Sequence, residues 1–193
     1  MSATAVSGVL VDTWAAKSRV RNAALVVGLT ALTAISAQIA IPLPFTPVPL
    51  TLQTFAVLVG AAALGAERAV LAQVLYITLA VAGAPVMAGA NGGREAVMGA
   101  TGGYLIGFVL ASYVVGRIAS RGATTKISTT ALAYVAGSAT IYLIGAPWLA
   151  YATGNTMAWA IANGVVPFLI GDAIKAVAAG AVLPMAWKLT NSK

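Results

Sequence analysis

The sequence predicts an all-α integral membrane protein: a compact bundle of six transmembrane helices with both termini in the cytoplasm. Three observations carry that expectation. Of 193 residues, 60% are hydrophobic and only 8% charged, where a soluble domain carries about a quarter charged; mean hydropathy is +0.94. Six apolar stretches approach the roughly 20 residues that cross a hydrocarbon core of about 30 Å. The basic residues, finally, collect on alternate connections between those stretches.

Residues 1–21 read as a cytoplasmic leader, flexible or amphipathic, with Trp14 at the interface and Lys17, Arg19 and Arg21 just ahead of the first apolar run. A secretory signal would need an early basic region and a shorter apolar core. The membrane domain covers 22–188, and 189–193 form a short tail. The spans run from about Asn22 to Ile41, Leu50 to Leu64, Ala66 to Gly83, Ala100 to Ile118, Ser128 to Gly145 and Trp159 to Trp187. The second is short and takes in part of the Pro-rich stretch before it. With the amino terminus inside, the inner segments hold nine basic residues: Lys17, Arg19, Arg21, Arg68, Arg117, Arg121, Lys126, Lys188 and Lys193. The outer loops hold Arg94 alone, so the positive-inside rule places both termini in the cytoplasm. That distribution also argues against a nucleic-acid partner, since the net charge of +7 flanks spans instead of forming a stripe.

Connections between the spans have their own character. Pro42, Pro44, Pro47 and Pro49 stiffen the first outer loop, each ring fixing φ and disfavouring helix in the residue before it. Two readings stand for it, a lid over a binding site and a rigid connector. Gly83-Ala84-Pro85 and Gly145-Ala146-Pro147 are both expected to end spans at the outer face. Small residues at helical spacing allow close approach in lipid. Gly99, Gly103 and Gly107 in the fourth span, and Ala176 and Gly180 in the sixth, read as seals inside the bundle. The stripe Ala24, Gly28 and Ala31 on the first span has a second reading, a face for docking a partner membrane subunit.

Chemistry is narrowly bounded. There is no Cys and no His, and the carboxylates are Asp12, Glu67, Glu95 and Asp172, which removes thiol and imidazole catalysis and the usual zinc ligands. An enzyme would have to work with Asp172, Lys175 and tyrosines, so none is expected, and neither is a metal or cofactor. Asp172 and Lys175 lie three residues apart in the last span, on one helix face. Each costs roughly 2.5–3.5 kcal/mol near a bilayer centre. A buried pair is often replaceable by apolar groups without loss, so its retention points to a ligand or ion site. Asn91 and Arg94 in the outer loop after the third span, and Gln53 at the outer end of the second span, are the further candidates. Tyr142, Trp148, Tyr151 and Trp159 read by default as an interfacial belt, the alternative being that a minority of them line an apolar slot. These groups suit a small amphipathic solute with an anionic end. No GxxxxGK[ST] loop occurs, so if ATP drives transport, the motor is another chain.

Four strings resemble one family. PLPFTPVPLTLQTF (Pro42 to Phe55), GAPVMAGANGG (Gly83 to Gly93), TGGYLIGF (Thr101 to Phe108) and PFLIGDAIKA (Pro167 to Ala176) are similar, in order, to the BioY family. These are the biotin-specific substrate-binding (S) components of energy-coupling factor transporters. The resemblance implies a multi-pass cell-membrane protein that captures biotin from outside. It also implies docking to a transmembrane coupling subunit and two ATPases, with ATP used only there. It assigns docking to Ala24 and Gly28 on the first helix, and ligand contact to Asp172 and Lys175, with Asn91 and Arg94 the loop candidates. The alternative is an ion-coupled or solitary secondary transporter of a small carboxylated solute, which also uses intramembrane Asp and Lys.

Overall fold

The computed structural model describes residues 8–13 and 18–191; Trp14 and Lys17 of the leader and Lys193 of the tail lie outside them. The chain is predominantly helical. Helix α1 (Arg19–Gln38) leads into a two-residue antiparallel ladder, β1 (Ala40–Ile41) against β2 (Leu50–Thr51), which closes the Pro-rich loop. Helices α2 (Gln53–Leu64) and α3 (Ala66–Val81) follow, joined through Gly65 alone, whose φ of 85° permits so tight a reversal. Next come a short α4 (Arg94–Met98), α5 (Gly102–Ala119) and α6 (Ile127–Thr153), then α7 (Met157–Gly164) and α8 (Val166–Asn191).

Among the described residues, four stretches are long and apolar enough to cross a membrane: Arg19–Gln38, Gly102–Ala119, Ile127–Thr153 and Met157–Leu189. Helix α2 is apolar but shorter, and α3 has 16 residues. Exposed Leu, Ile and Val side chains such as Ile35, Leu71, Leu132, Leu143 and Ile174 face outward, as lipid-facing surfaces do. The glycine seals are real contacts. A Cβ on Gly107 would stand 2.9 Å from Ile141 Cα, and one on Gly103 2.8 Å from the Ile144 carbonyl oxygen, so α5 meets α6 backbone to backbone. Gly99 stands apart from this seam, at the end of α4. On α8, Ala176 is buried and a Cβ on Gly180 would lie 3.2 Å from Ile127 Cγ2.

Three expectations change. The leader is not loose throughout: Val9, Leu10 and Val11 are buried, Gly8 N–H donates to the Ser120 carbonyl at 3.3 Å, and Asp12 pairs with Arg68 at 2.8 Å and Arg21 at 3.5 Å. Apolar burial plus an ion pair outweighs the freedom of a short flexible segment. The motif Gly145-Ala146-Pro147 does not end a helix; α6 continues through Pro147 to Gly154, which takes the left-handed conformation. Gly145 is there for space, since its Cβ would fall 2.6 Å from the Tyr104 ring. Gly83, by contrast, has φ of 93° and does stop α3. The last stretch is broken in two at Val165. Pro167 has no N–H for the preceding turn, Phe168 N–H turns to Val165, and the freed Gly164 carbonyl accepts from Tyr104 Oη at 2.8 Å.

Candidate functional site

That break aims α8 into the bundle. Below it, Phe168, Asp172 and Lys175 reach one cavity, whose other walls come from β2 and α2 (Thr51, Gln53, Thr54), α5 (Tyr104, Phe108) and α6 (Ile141, Tyr142). Val48 and Pro49 from the Pro-rich loop and Met87 and Ala88 from the loop after α3 complete it. A second hollow adjoins, sharing Pro49, Met87, Ala88 and Thr101 and adding Pro42, Leu43 and Asn91. It forms the mouth of the first.

Lys175 and Asp172 are not locked only onto each other. The ammonium Nζ donates to Thr54 Oγ1 at 2.7 Å, to the Thr51 carbonyl at 2.9 Å and, at longer range, to Asp172 Oδ1 at 3.3 Å. Asp172, only 7% exposed, accepts from Tyr142 Oη on its other oxygen at 2.5 Å. Thr54 Oγ1 lies 3.4 Å from Oδ1. The ammonium already has three protein acceptors, while the carboxylate, with Lys175 and Thr54 on one oxygen and Tyr142 on the other, keeps room for a further N–H donor. Gln53 Nε2 donates to Tyr76 Oη at 3.0 Å, and Tyr76 in turn donates to the Val86 carbonyl at 3.1 Å. Thr51 Oγ1 meets Gln53 Oε1 at 3.2 Å. The remaining wall is apolar and aromatic. The arrangement offers charge-assisted hydrogen bonding at one end of a greasy slot.

The structure therefore brings Asp172, Lys175 and Gln53 together and places Asn91 at the mouth, where its amide donates to the Ala88 carbonyl at 2.9 Å. Arg94 is exposed on α4 and lines neither hollow. Ala24, Gly28 and Ala31 are all exposed on α1, and nothing lies within 4 Å of a Cβ built on Gly28. Of the belt and slot readings, Tyr142 takes the slot, with its hydroxyl inside the site. The belt fits Tyr151, which is 84% exposed, while Trp148 donates to the Gly99 carbonyl at 2.9 Å. Residue-by-residue reading missed Thr51, Thr54, Tyr76 and Phe168. Thr54 had a signal: it follows Gln53 in a span where hydroxyls need partners. Phe168 had none, because its direction depends on the break.

Comparison with known proteins extends the picture. The model of the BioY family matches residues 8–192. A probable biotin transporter BioY of Pyrococcus horikoshii is 37% identical over 161 residues, which cover 83% of this chain and 93% of the relative. The biotin transporter BioY of Thermotoga maritima is 39% identical over 153 residues, 79% of this chain and 88% of its own. A crystal structure at 2.1 Å of the S-component for biotin from an ECF-type ABC transporter superposes with a TM-score of 0.80. It is 24% identical and covers 90% of this chain and 95% of that one, a likeness of fold. Since the family match takes in every helix of the bundle as well as both loops over the cavity, the chain belongs to the BioY family.

Proposed function

We propose that this chain captures biotin at the outer face of the cell membrane and serves its uptake as the S component of an energy-coupling factor transporter. The observation that carries the reading is the Asp172–Lys175 pair, set in a cavity wall and bonded to Tyr142, Thr54 and Thr51. Biotin's ureido ring has two N–H donors and a carbonyl acceptor, its thioether ring is apolar, and its valerate chain ends in a carboxylate. Asp172 accepts from the ureido N–H groups. Lys175 donates to the ureido oxygen by giving up its long contact with Asp172, or Asn91 does so. Gln53 holds the wall through Tyr76. Phe108, Ile141 and Phe168 cover the thioether ring, and the carboxylate points to the mouth, to be met by backbone N–H groups there and by Arg94 reaching in from outside the hollow, on the helix α4 whose Ala96 lines it.

The chain binds and does no chemistry; it needs no cofactor, and ATP enters only through partner ATPases. Helices α2 and α3, counted as short spans, make six crossings with both termini in the cytoplasm. The exposed stripe Ala24, Gly28 and Ala31 meets the coupling subunit. Equilibrium binding of labelled biotin to the purified chain tests the reading. Saturable binding is expected, displaced by desthiobiotin, which keeps the ureido ring, and not by lipoate, which lacks it. Absence of saturable binding, or displacement by lipoate alone, would overturn it.

A further inference from the structure

Gln38 ends α1, and its amide spans a gap to the loop that roofs the cavity. Nε2 donates to the Met87 carbonyl at 3.1 Å, with the Ala34 carbonyl at 3.2 Å, and Oε1 accepts from Ala90 N–H at 3.1 Å. The orientation of the amide follows from its partners, because a backbone N–H needs the oxygen. Ala90 is the residue that most needs holding: at φ 56° it is the one non-glycine with positive φ among the described residues, a conformation that Cβ disfavours. Gly89 beside it has φ of 71°, and Met87 N–H closes the loop onto the Asn91 carbonyl at 2.9 Å. Met87 and Ala88 wall both the cavity and its mouth. From the inside the same loop is held by Tyr76 on the Val86 carbonyl.

We infer that Gln38 is a positioning residue for ligand retention: from outside the cavity, it fixes the 86–91 loop in the shape that keeps ligand from leaving. The inference rests on the biotin reading above. Gln38 touches no ligand; it acts through Met87 and Ala90, so it governs release more than capture.

The test is a chase of labelled biotin from the purified full chain with excess unlabelled biotin. Gln38→Leu should speed dissociation about tenfold, the equivalent of one or two hydrogen bonds of ordinary net worth. Association should change by less than about threefold, and helix content should not change. Gln38→Glu keeps the acceptor for Ala90 and loses the donor to Met87, so its release rate should fall between the two. Ala90→Gly, which removes the left-handed penalty, should restore slow release to Gln38→Leu at least in part; a general loss of packing would not be rescued this way. If Gln38→Leu does not fold, Gln38→Glu with and without Ala90→Gly carries the same comparison. Release no faster than wild type, or fast release that Ala90→Gly leaves untouched, overturns the assignment alone. Wild-type protein that holds no biotin overturns the functional reading and this assignment with it.

Discussion

Neutralising the intramembrane pair one member at a time, then both together, separates a ligand site from a pair that merely tolerates its own burial. Asp172→Asn preserves shape but removes the charge that faces Lys175 Nζ at 3.3 Å and leaves one acceptor oxygen where Tyr142 and Lys175 had one each. Breaking a buried pair costs about 3–5 kcal/mol when the surviving charge is stranded. Lys175 keeps Thr51 and Thr54 as acceptors, so the expected loss of stability falls at or below the bottom of that range, about 2–3 kcal/mol. Loss of a charge-assisted bond to a ureido N–H adds a binding defect of roughly 1.5–3 kcal/mol, which is about tenfold to a hundredfold in Kd. Lys175→Met should show a similar pattern. In the double variant Asp172→Asn/Lys175→Met no charge is stranded, and thermal stability should recover towards wild type. Biotin affinity should not recover. Detergent-solubilised protein assayed by equilibrium binding and by thermal unfolding gives both numbers. A double variant that binds biotin within about threefold of wild type would refute the reasoning.

The docking stripe predicts a split between two assays: Ala24→Leu or Gly28→Leu should leave biotin binding within about twofold, yet lower ATP-driven uptake by the assembled transporter, because a leucine would obstruct close helix approach. Gly107→Val places a branched side chain where only 2.9 Å separates it from Ile141 Cα; it should destabilise the bundle by about 1–3 kcal/mol or more, read as a lowered unfolding temperature. Arg94→Ala tests the exposed cation directly. If Arg94 meets the carboxylate, affinity for biotin should fall about three- to tenfold while that for biotin methyl ester stays constant; equal affinities would pass that role to Asn91 and the backbone of the mouth.

What the sequence could reveal divides along a physical line. Apolar length and glycine spacing located α1, α3 and α5 to within a few residues, because crossing a bilayer and packing backbone to backbone are one-dimensional requirements. Asp172 and Lys175 were legible for the same reason: charge in an apolar run is conspicuous wherever the chain goes. The break at Val165 was not, since Pro167 inside an apolar stretch is compatible with a kink, a continuous helix or a stop. What decides it is Tyr104, 60 residues away, taking the freed carbonyl. Gly145-Ala146-Pro147 misled for a related cause: the same three letters end α3 and pass through α6, and only the Tyr104 ring against Gly145 tells them apart. Tyr142 stayed open between belt and slot because an aromatic near a span end has two environments available to it. Only the rotational setting of α6 against α8 chooses between them.

The tucked segment at the amino end has a practical corollary for anyone engineering this molecule. Val9 to Val11 and the carboxylate of Asp12 form a plug at the turn between α2 and α3, wedged against Gly65 and bridging Arg21 with Arg68. Trimming the chain back to its first long helix would therefore strip a counter-ion from two arginines and leave an oily notch at the hinge between the second and third. Purification tags belong ahead of Gly8, or at the opposite terminus, and shortened variants that behave poorly should be suspected of having lost their stopper before their fold is blamed.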